Sequence, residues 1–269
     1  MVKIESLSNV GVFVRDQKKA KEFYTRKLGL KVRASIPRWQ YLELGATKGG
    51  ADAGLNVWRP TREMWGEDYD EAVGSIGTVT GIGFLTTNLT ATIESLRRKR
   101  VKVEGPGPAG RAQIATVYDP EGNSLFVLEP PNPKIRRAGL LSLQWVTVAS
   151  RDAARTGEFF RKALGMKGRV TDEEGMRFYS LSPRGTALMP FAPDKGMYDD
   201  PKDYEDDLAH IGENTSIIFS SRDIHRLQET LKARGVRFSQ EAEKATWGGI
   251  EAQFLDPDGN RYALVQEMP

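Results

Sequence analysis

Two histidines, His210 and His225, and no cysteine in 269 residues set the first limit on the chemistry of this chain. Without a thiol there is no cysteine nucleophile, no thiolate metal site and no disulfide framework. His225 falls in an Ile224-His-Arg-Leu helical pattern beside Arg226, on a solvated face. His210 precedes Ile211-Gly212 in a loop of acidic character, where a single imidazole offers at most a general base. No Gly-x-Ser-x-Gly nucleophile elbow occurs. Gly105-Pro-Gly-Pro-Ala-Gly110 lacks the Gly-Lys-Ser/Thr ending of a phosphate loop and reads as a connection between helix and strand.

The elements that position side chains come from an internal repeat. Asn9-Val-Gly-Val-Phe-Val-Arg-Asp16, Glu22-Phe-Tyr24 and Leu28-Gly29 reappear as Trp145-Val-Thr-Val-Ala-Ser-Arg-Asp152, Glu158-Phe-Phe160 and Leu164-Gly165. Asp16 and Asp152, Phe23 and Phe159, and Gly29 and Gly165 share a single offset. Gly81-Ile-Gly-Phe84 matches Ser216-Ile-Ile-Phe219, and each half closes on Asp119-Pro-Glu-Gly-Asn123 or Asp256-Pro-Asp-Gly-Asn260. Matched segments in one order mark a duplication. The proline-rich stretch Glu129-Pro-Pro-Asn-Pro-Lys134 stops both helix and sheet. Two domains are therefore expected, residues 1–130 and 139–269, with a linker at 131–138.

Within each half the periodicity predicts strand, helix and strands, twice over. Val10, Val12 and Val14 alternate as in a half-buried strand. Asp16 is placed to cap a helix whose stripe is Ala20, Phe23, Tyr24 and Leu28. Ile93 and Leu96 mark a second helix, and helices near 155–164 and 224–234 repeat the pair.

The formal net charge is +3, from 39 basic and 36 acidic residues. The basic clusters Arg97-Arg98-Lys99-Arg100 and Lys134-Ile-Arg136-Arg137 sit at a helix end and in the linker, which argues against a nucleic-acid partner. No apolar run approaches the roughly 20 residues of a membrane span. The first residues show no signal-peptide order, so a cytoplasmic protein with no membrane partner is expected.

These segments resemble the vicinal oxygen chelate superfamily, which includes glyoxalases, bleomycin-resistance proteins and extradiol dioxygenases. The marks are the first strand ending before Asp16, then Phe23-Tyr24, Leu28-Gly29 and the late Asp119-Pro-Glu-Gly-Asn123 turn; Ser150-Arg-Asp152 and Phe159-Phe160 are small departures in the second half. The resemblance implies an α+β fold: two tandem glyoxalase-like domains, each of two βαβββ modules forming a curved mixed sheet cup. It also implies four interior strand positions for metal ligands in each domain. Carried over one at a time, these fall on Asn9, Asn56, Gly81 and Phe126, then on Trp145, Met189, Ser216 and Ala263. None offers an imidazole or a carboxylate, so no metal is expected there, with a divalent metal as the alternative. Gln144, beside Trp145, is an acceptable ligand type in the family. Strand alternation places it on the face of Val146 and Val148, away from the cup.

Apolar, aromatic and amide side chains in place of ligands suit a planar organic molecule. The expected lining is Asn9, Trp39, Tyr41, Asn56, Trp58, Arg111, Gln113 and Phe126 in the first domain. In the second it is Trp145, Arg177, Tyr179, Met189, Phe191, Trp247, Glu251 and Gln253. Matched insertions, Trp58-Arg-Pro to Ile76-Gly77 and Phe191-Ala-Pro to Ile211-Gly212, are candidate lids. The expected function is metal-free binding of a small molecule by a monomer or homodimer. The alternative is a lyase, isomerase or dioxygenase of the same superfamily, using a metal or Glu43 or Glu251 as base.

Overall fold

A computed structural model of the chain describes residues 2–170, 176–198 and 200–266. Asp199 of the second insertion and the last three residues of the expected second domain lie outside the described residues.

Four βαβββ modules follow one another. The first is β1 (Ser6–Phe13), α1 (Gln17–Glu22, continued as a π turn Phe23–Lys27), β2 (Lys31–Ile36), β3 (Tyr41–Gly45) and β4 (Gly54–Trp58). An insertion carries α2 (Arg62–Trp65) and α3 (Tyr69–Gly74). The second module is β5 (Val79–Leu85), α4 (Leu89–Arg98), β6 (Lys102–Ala109), β7 (Ala112–Tyr118) and β8 (Ser124–Glu129). The third is β9 (Ser142–Ala149), α5 (Ala153–Lys162), β10 (Lys167–Val170), β11 (Arg177–Ser180) and β12 (Ala187–Phe191), followed by α6 (Pro201–Ala209). The fourth is β13 (Asn214–Ser220), α7 (Ile224–Ala233), β14 (Arg237–Lys244), β15 (Ile250–Leu255) and β16 (Arg261–Gln266). Among the described residues no helix is long and apolar enough to cross a membrane.

Each module's principal helix starts the same way. Asp16, Asn88, Asp152 and Asp223 accept a hydrogen bond from the backbone N–H three residues on, satisfying a first-turn donor that the helix itself leaves open. Below the helices lie Val10, Val12, Leu55 and Val57 in the first module and Phe219, Phe254, Tyr262 and Leu264 in the fourth, all buried.

The late turn makes the same hydrogen bonds in both halves, except that its tyrosine comes from the turn after α1 in the first half and from β16 in the second. Asp119 Oδ1 accepts from the N–H groups of Glu121 and Asn123, and its Oδ2 accepts from Asn123 Nδ2 and the Tyr24 hydroxyl. Asp256 does the same with Asp258, Asn260 and Tyr262. Asn123 Nδ2 also donates to the carbonyl of Phe13, and Asn260 Nδ2 to that of Ala149, pinning the turn to the end of the first strand in its half. Gly122 and Gly259 take φ of 96° and 93°, conformations that favour glycine. Burial and the neighbouring Asp119 and Asp256 push the hydroxyls of Tyr24 and Tyr262 well above the ordinary tyrosine range.

The chain divides into two compact units, one centred on Asn9–Val146, the other taking the second half with the N-terminal residues up to Ser8. The fold is α+β with two eight-stranded mixed sheets, ordered β14-β15-β16-β13-β1-β4-β3-β2 and β10-β11-β12-β9-β5-β8-β7-β6. In the second of these sheets the chain passes from β8 beyond β5 to reach β9. β5 pairs antiparallel with β9, Ile82 opposite Val146, and Leu141 N–H donates to the Leu85 carbonyl, so the proline-rich linker only has to step past β5. At the other end, Ser6 and Ser8 of β1 hydrogen-bond to Ser220 and to the carbonyl of Ile218 on β13.

Candidate functional site

The unit centred on residues 9–146 holds a largely buried polar cluster on the side of β1, β3 and β4 turned away from α1. Register fixes which side chains share it. Asn9 lies opposite Gly54, Gly11 opposite Asn56, Phe13 opposite Trp58, and Glu43 opposite Asn56. Since Val10, Val12, Leu55 and Val57 face the helix, alternation puts Asn9, Phe13, Asn56, Trp58, Glu43 and Tyr41 on the open face.

Gly54 makes the polar cluster sterically possible. A Cβ there would come within 2.4 Å of the Glu43 side chain and 2.6 Å of Asn9 Oδ1, so both side chains lie over bare backbone. Arg33 crosses Gly45 in the same way, 2.2 Å from where a Cβ would be. A β-bulge in β2 between Val32 and Ala34 leaves Arg33 as the extra residue and turns it inward. Its guanidinium donates to Asp52 Oδ1 at 2.8 Å and to the carbonyls of Thr47 and Asp52, with Glu43 Oε1 at 3.9 Å. Asp52 Oδ2 accepts from the N–H of Leu143, and Glu43 Oε2 from the Tyr41 hydroxyl.

Asn56 stands out beside these satisfied groups. It is fully buried, and neither Oδ1 nor Nδ2 has a hydrogen-bond partner. Asn9 Oδ1 is likewise buried and unpartnered. An unpaired buried amide costs about 1–3 kcal/mol, so this arrangement lowers stability where it stands.

Further along the same strands the face becomes aromatic. Phe13 meets Trp65 edge-on at 4.8 Å, Trp58 meets Trp65 at 5.8 Å, and Tyr41 meets Trp58 at 5.7 Å. Trp65 comes from α2 of the insertion, and Ala72 and Ile76 pack on Phe13 from the same insertion. Trp65 Nε1 is buried without a partner. Gln40, next to Tyr41, is left-handed at φ 48° with its Oε1 unpartnered.

The other expected lining residues are placed as follows. Trp39 is half-buried in a short turn, stacked under Arg38. Arg111 is exposed in the β6–β7 turn, and Gln113 is exposed opposite Glu129 on the helix-facing side of β7, with Ala115 and Val117. Phe126 lies opposite Gly83 and Thr116 on the open side of β8. Trp145 lies opposite Gly83, and a Cβ on Gly83 would come within 2.2 Å of its indole, so the indole closes this face. Tyr179 faces α5, against Gly157 and Phe160, with exposed Arg177 at the same register parity. Met189 and Phe191 are half-buried and alternate with Leu188, away from α5. Trp247 folds over Gly249 and donates from Nε1 to Glu251 Oε2 at 3.0 Å; Gln253 is two residues on, opposite Ala263. Sequence reasoning missed Phe13, Arg33, Asp52 and Trp65 as parts of the cluster. The small residues Gly45 and Gly54, at alternating open-face positions, were the available signal.

Gln144 lies at a break in the ladder. The register between β5 and β9 slips so that Gly83 faces Trp145 but Phe84 faces Leu143. Gln144 is the extra residue of a bulge, so simple alternation does not fix its direction. Gly81 and Ser216 also sit in bulges, with φ of 66° and 55°. Thr80 and Thr215 brace them, each Oγ1 accepting from the N–H two residues on.

The residues do not fit a catalytic divalent metal. Asn9 and Asn56 offer neutral amide oxygens, Glu43 adds one carboxylate, and Arg33 brings positive charge to within 3.9 Å of it. A stable catalytic site uses about three strong protein ligands. Among the described residues no group of three or more His, Asp or Glu is gathered as metal ligands. His210 Nδ1 lies 2.6 Å from Glu213 on the surface, and His225 is exposed on α7. A surface cleft among Arg15, Asp16, Lys19 and Glu121 belongs to the late turn, where Glu121 Oε1 accepts from the N–H groups of Arg15 and Asp16.

Solved structures share this fold. Glyoxalase I from Zea mays aligns over 99% of this chain and 92% of its own, with a TM-score of 0.68 and 19% identity. A protein of Bacillus subtilis subsp. subtilis str. 168, given a provisional dioxygenase assignment, aligns over 100% of this chain and 87% of its own, with a TM-score of 0.63 and 12% identity. No curated protein matches the chain significantly. The model of the Glyoxalase/Bleomycin resistance protein/Dioxygenase superfamily matches residues 6–126 and again 142–264. Two matches in tandem, on modules that share the same helix caps and the same late turn, show that this chain belongs to that superfamily.

Proposed function

We propose that the protein binds a small planar organic molecule on the open face of its first module, without a metal ion and without catalysis. One observation carries this reading: the fully buried Asn56 amide has no partner for either of its polar atoms. Buried amides are ordinarily satisfied, and one left open beside Trp58 and Phe13 has the make-up of a ligand site: aromatic walls and a few orienting polar groups. Arg33 and Glu43 are occupied with one another and with Asp52 and Tyr41, so they hold the site's shape.

The test is capture. Protein purified under mild conditions is denatured, and the released small molecules are identified by mass spectrometry. A planar compound released by the wild type and absent from Asn56→Leu is the expected result. A compound retained equally by Asn56→Leu would place the site elsewhere. A second reading draws on Glu43, whose carboxylate the Tyr41 hydroxyl holds on the same face as Asn56. If Glu43 acts as a general base, the protein converts the captured compound, and Glu43→Gln stops turnover while binding persists.

A further inference from the structure

We infer that the ligand meets Asn56 with an edge carrying a hydrogen-bond donor and an acceptor side by side, as a lactam does, on a fused aromatic skeleton; this rests on the binding reading above. A primary amide presents a carbonyl acceptor and an N–H donor in one plane. With both groups open, it is satisfied in one step by a partner that offers the complementary pair, as when asparagine reads an adenine edge through two parallel bonds. A lone hydroxyl or ketone leaves one of the two atoms unpaired.

Charge narrows the class further. Arg33 is flanked by Asp52 at 2.8 Å and Glu43 at 3.9 Å, so the neighbourhood carries one more negative than positive charge. A carboxylate or phosphate edge is therefore disfavoured, and a neutral one fits. Shape comes from the strands. Trp58 is the next open-face residue after Asn56 on β4, about 7 Å along at the usual strand rise. That is the reach of a second fused ring from a polar edge seated at Asn56. Phe13 and Trp65 complete the aromatic wall, and Asn9 Oδ1 is free to accept from a further donor. Asn56 is wholly buried, so entry requires a covering segment to move. The insertion bearing Trp65 packs on Phe13 and Trp58 of this face and is the segment of this unit placed to do so.

The experiment is calorimetric titration with three probes of nearly equal shape: isoquinolin-1(2H)-one, its N-methyl derivative and naphthalene. The lactam is expected to bind at least about tenfold more tightly than the N-methyl compound, the scale of one buried hydrogen bond. Naphthalene should be weaker still. Asn56→Leu should erase the preference. Asn56→Asp, which keeps the shape but lacks the donor, should weaken the lactam selectively. Equal affinity for all three probes, a preference that survives in Asn56→Leu, or no binding by any probe overturns the inference. The two readings separate cleanly. A captured compound that depends on Asn56 but lacks such an edge sinks this inference and leaves the binding reading standing. A captured compound indifferent to Asn56 sinks both.

Discussion

Trp145 lies flat across Gly83, close enough that a Cβ on the glycine would come within 2.2 Å of the indole. The two residues are direct partners in the β5–β9 ladder, and Trp145 is only 5% exposed. The indole thus stands where the superfamily resemblance implied a metal ligand, and it fills the space itself.

Gly83→Ala should destabilise the protein by about 1–3 kcal/mol, since the indole is rigid and must shift. Trp145→Ala should cost about 3–5 kcal/mol as a core cavity. In the double variant the alanine at 83 meets no indole, so the combined loss should be clearly smaller than the sum. Urea unfolding measures all three. Strict additivity would show that the two residues do not compete for one space.

The buried tyrosines set an alkaline limit. The hydroxyls of Tyr24 and Tyr262 are held protonated in the fold by burial and by Asp119 and Asp256. In the unfolded chain they ionise near pH 10. Above that pH the unfolded state loses protons that the folded state keeps, so stability is full below about pH 10 and falls as pH rises further. Tyr262→Phe should lower stability at neutral pH by about 1.5–3 kcal/mol, through loss of a hydrogen bond to a carboxylate, and flatten the alkaline decline. Unfolding free energy measured from pH 7 to 11 decides, and a flat wild-type profile would contradict the prediction.

A third prediction concerns metal. After chelation and reloading with nickel, zinc, iron(II) or manganese, the protein should hold far less than one metal per chain and show no metal-restored glyoxalase or ring-cleavage activity. A Lewis acid that polarises two vicinal oxygens needs strong ligands to keep it in place. Neither Asn9, Asn56, Gly81 and Phe126 nor Trp145, Met189, Ser216 and Ala263 supply them. Near one metal per half, with activity lost on chelation, would refute this and direct attention to Gln144.

Local signals carried most of the fold. The aspartate and asparagine caps, the valine alternation and the Asp-Pro-x-Gly-Asn turns are each decided within a few residues, and the four modules follow from them. The strand order within each sheet is a long-range choice with no mark in local sequence. Bulges escaped for a related reason. Gln144 and Arg33 sit in strands whose composition shows no extra residue, because a bulge is a property of the ladder and not of one strand. Asn9, Asn56, Tyr41 and Trp58 were readable as open-face residues. That Asn56 has no partner was not, since satisfaction depends on every neighbour at once.

The insertion should behave as a cover. Trp65→Ala removes its contacts with Phe13 and Trp58. It should speed release of the captured compound by about tenfold while costing about 1–3 kcal/mol of stability, an ordinary loss for a half-buried side chain. Trp65→Phe keeps most of the ring packing but deletes the unpartnered Nε1–H, and should release the compound at an intermediate rate with little change in stability. Stopped-flow tryptophan fluorescence follows the release. Identical rates in all three proteins would remove the insertion from the site.

Asn56→Leu should make the empty protein more stable, not less. The amide is fully buried and unpartnered, so the folded state bears its desolvation with no hydrogen bond in return. Leucine has similar volume and no polar atom, and it faces Gly11 and Glu43 across the ladder without needing a donor. The expected gain is about 1–3 kcal/mol in unfolding free energy, the usual cost of one orphaned polar group. A purely structural asparagine bridged by ordered water would give the opposite sign, because the water would lose its partner too. A residue kept for a ligand costs stability in the empty protein and repays it on binding. The same variant should therefore lose the captured compound while melting at higher temperature. Calorimetry on ligand-stripped protein reads the sign directly, and a lower melting temperature for Asn56→Leu would show that the amide is satisfied inside the fold.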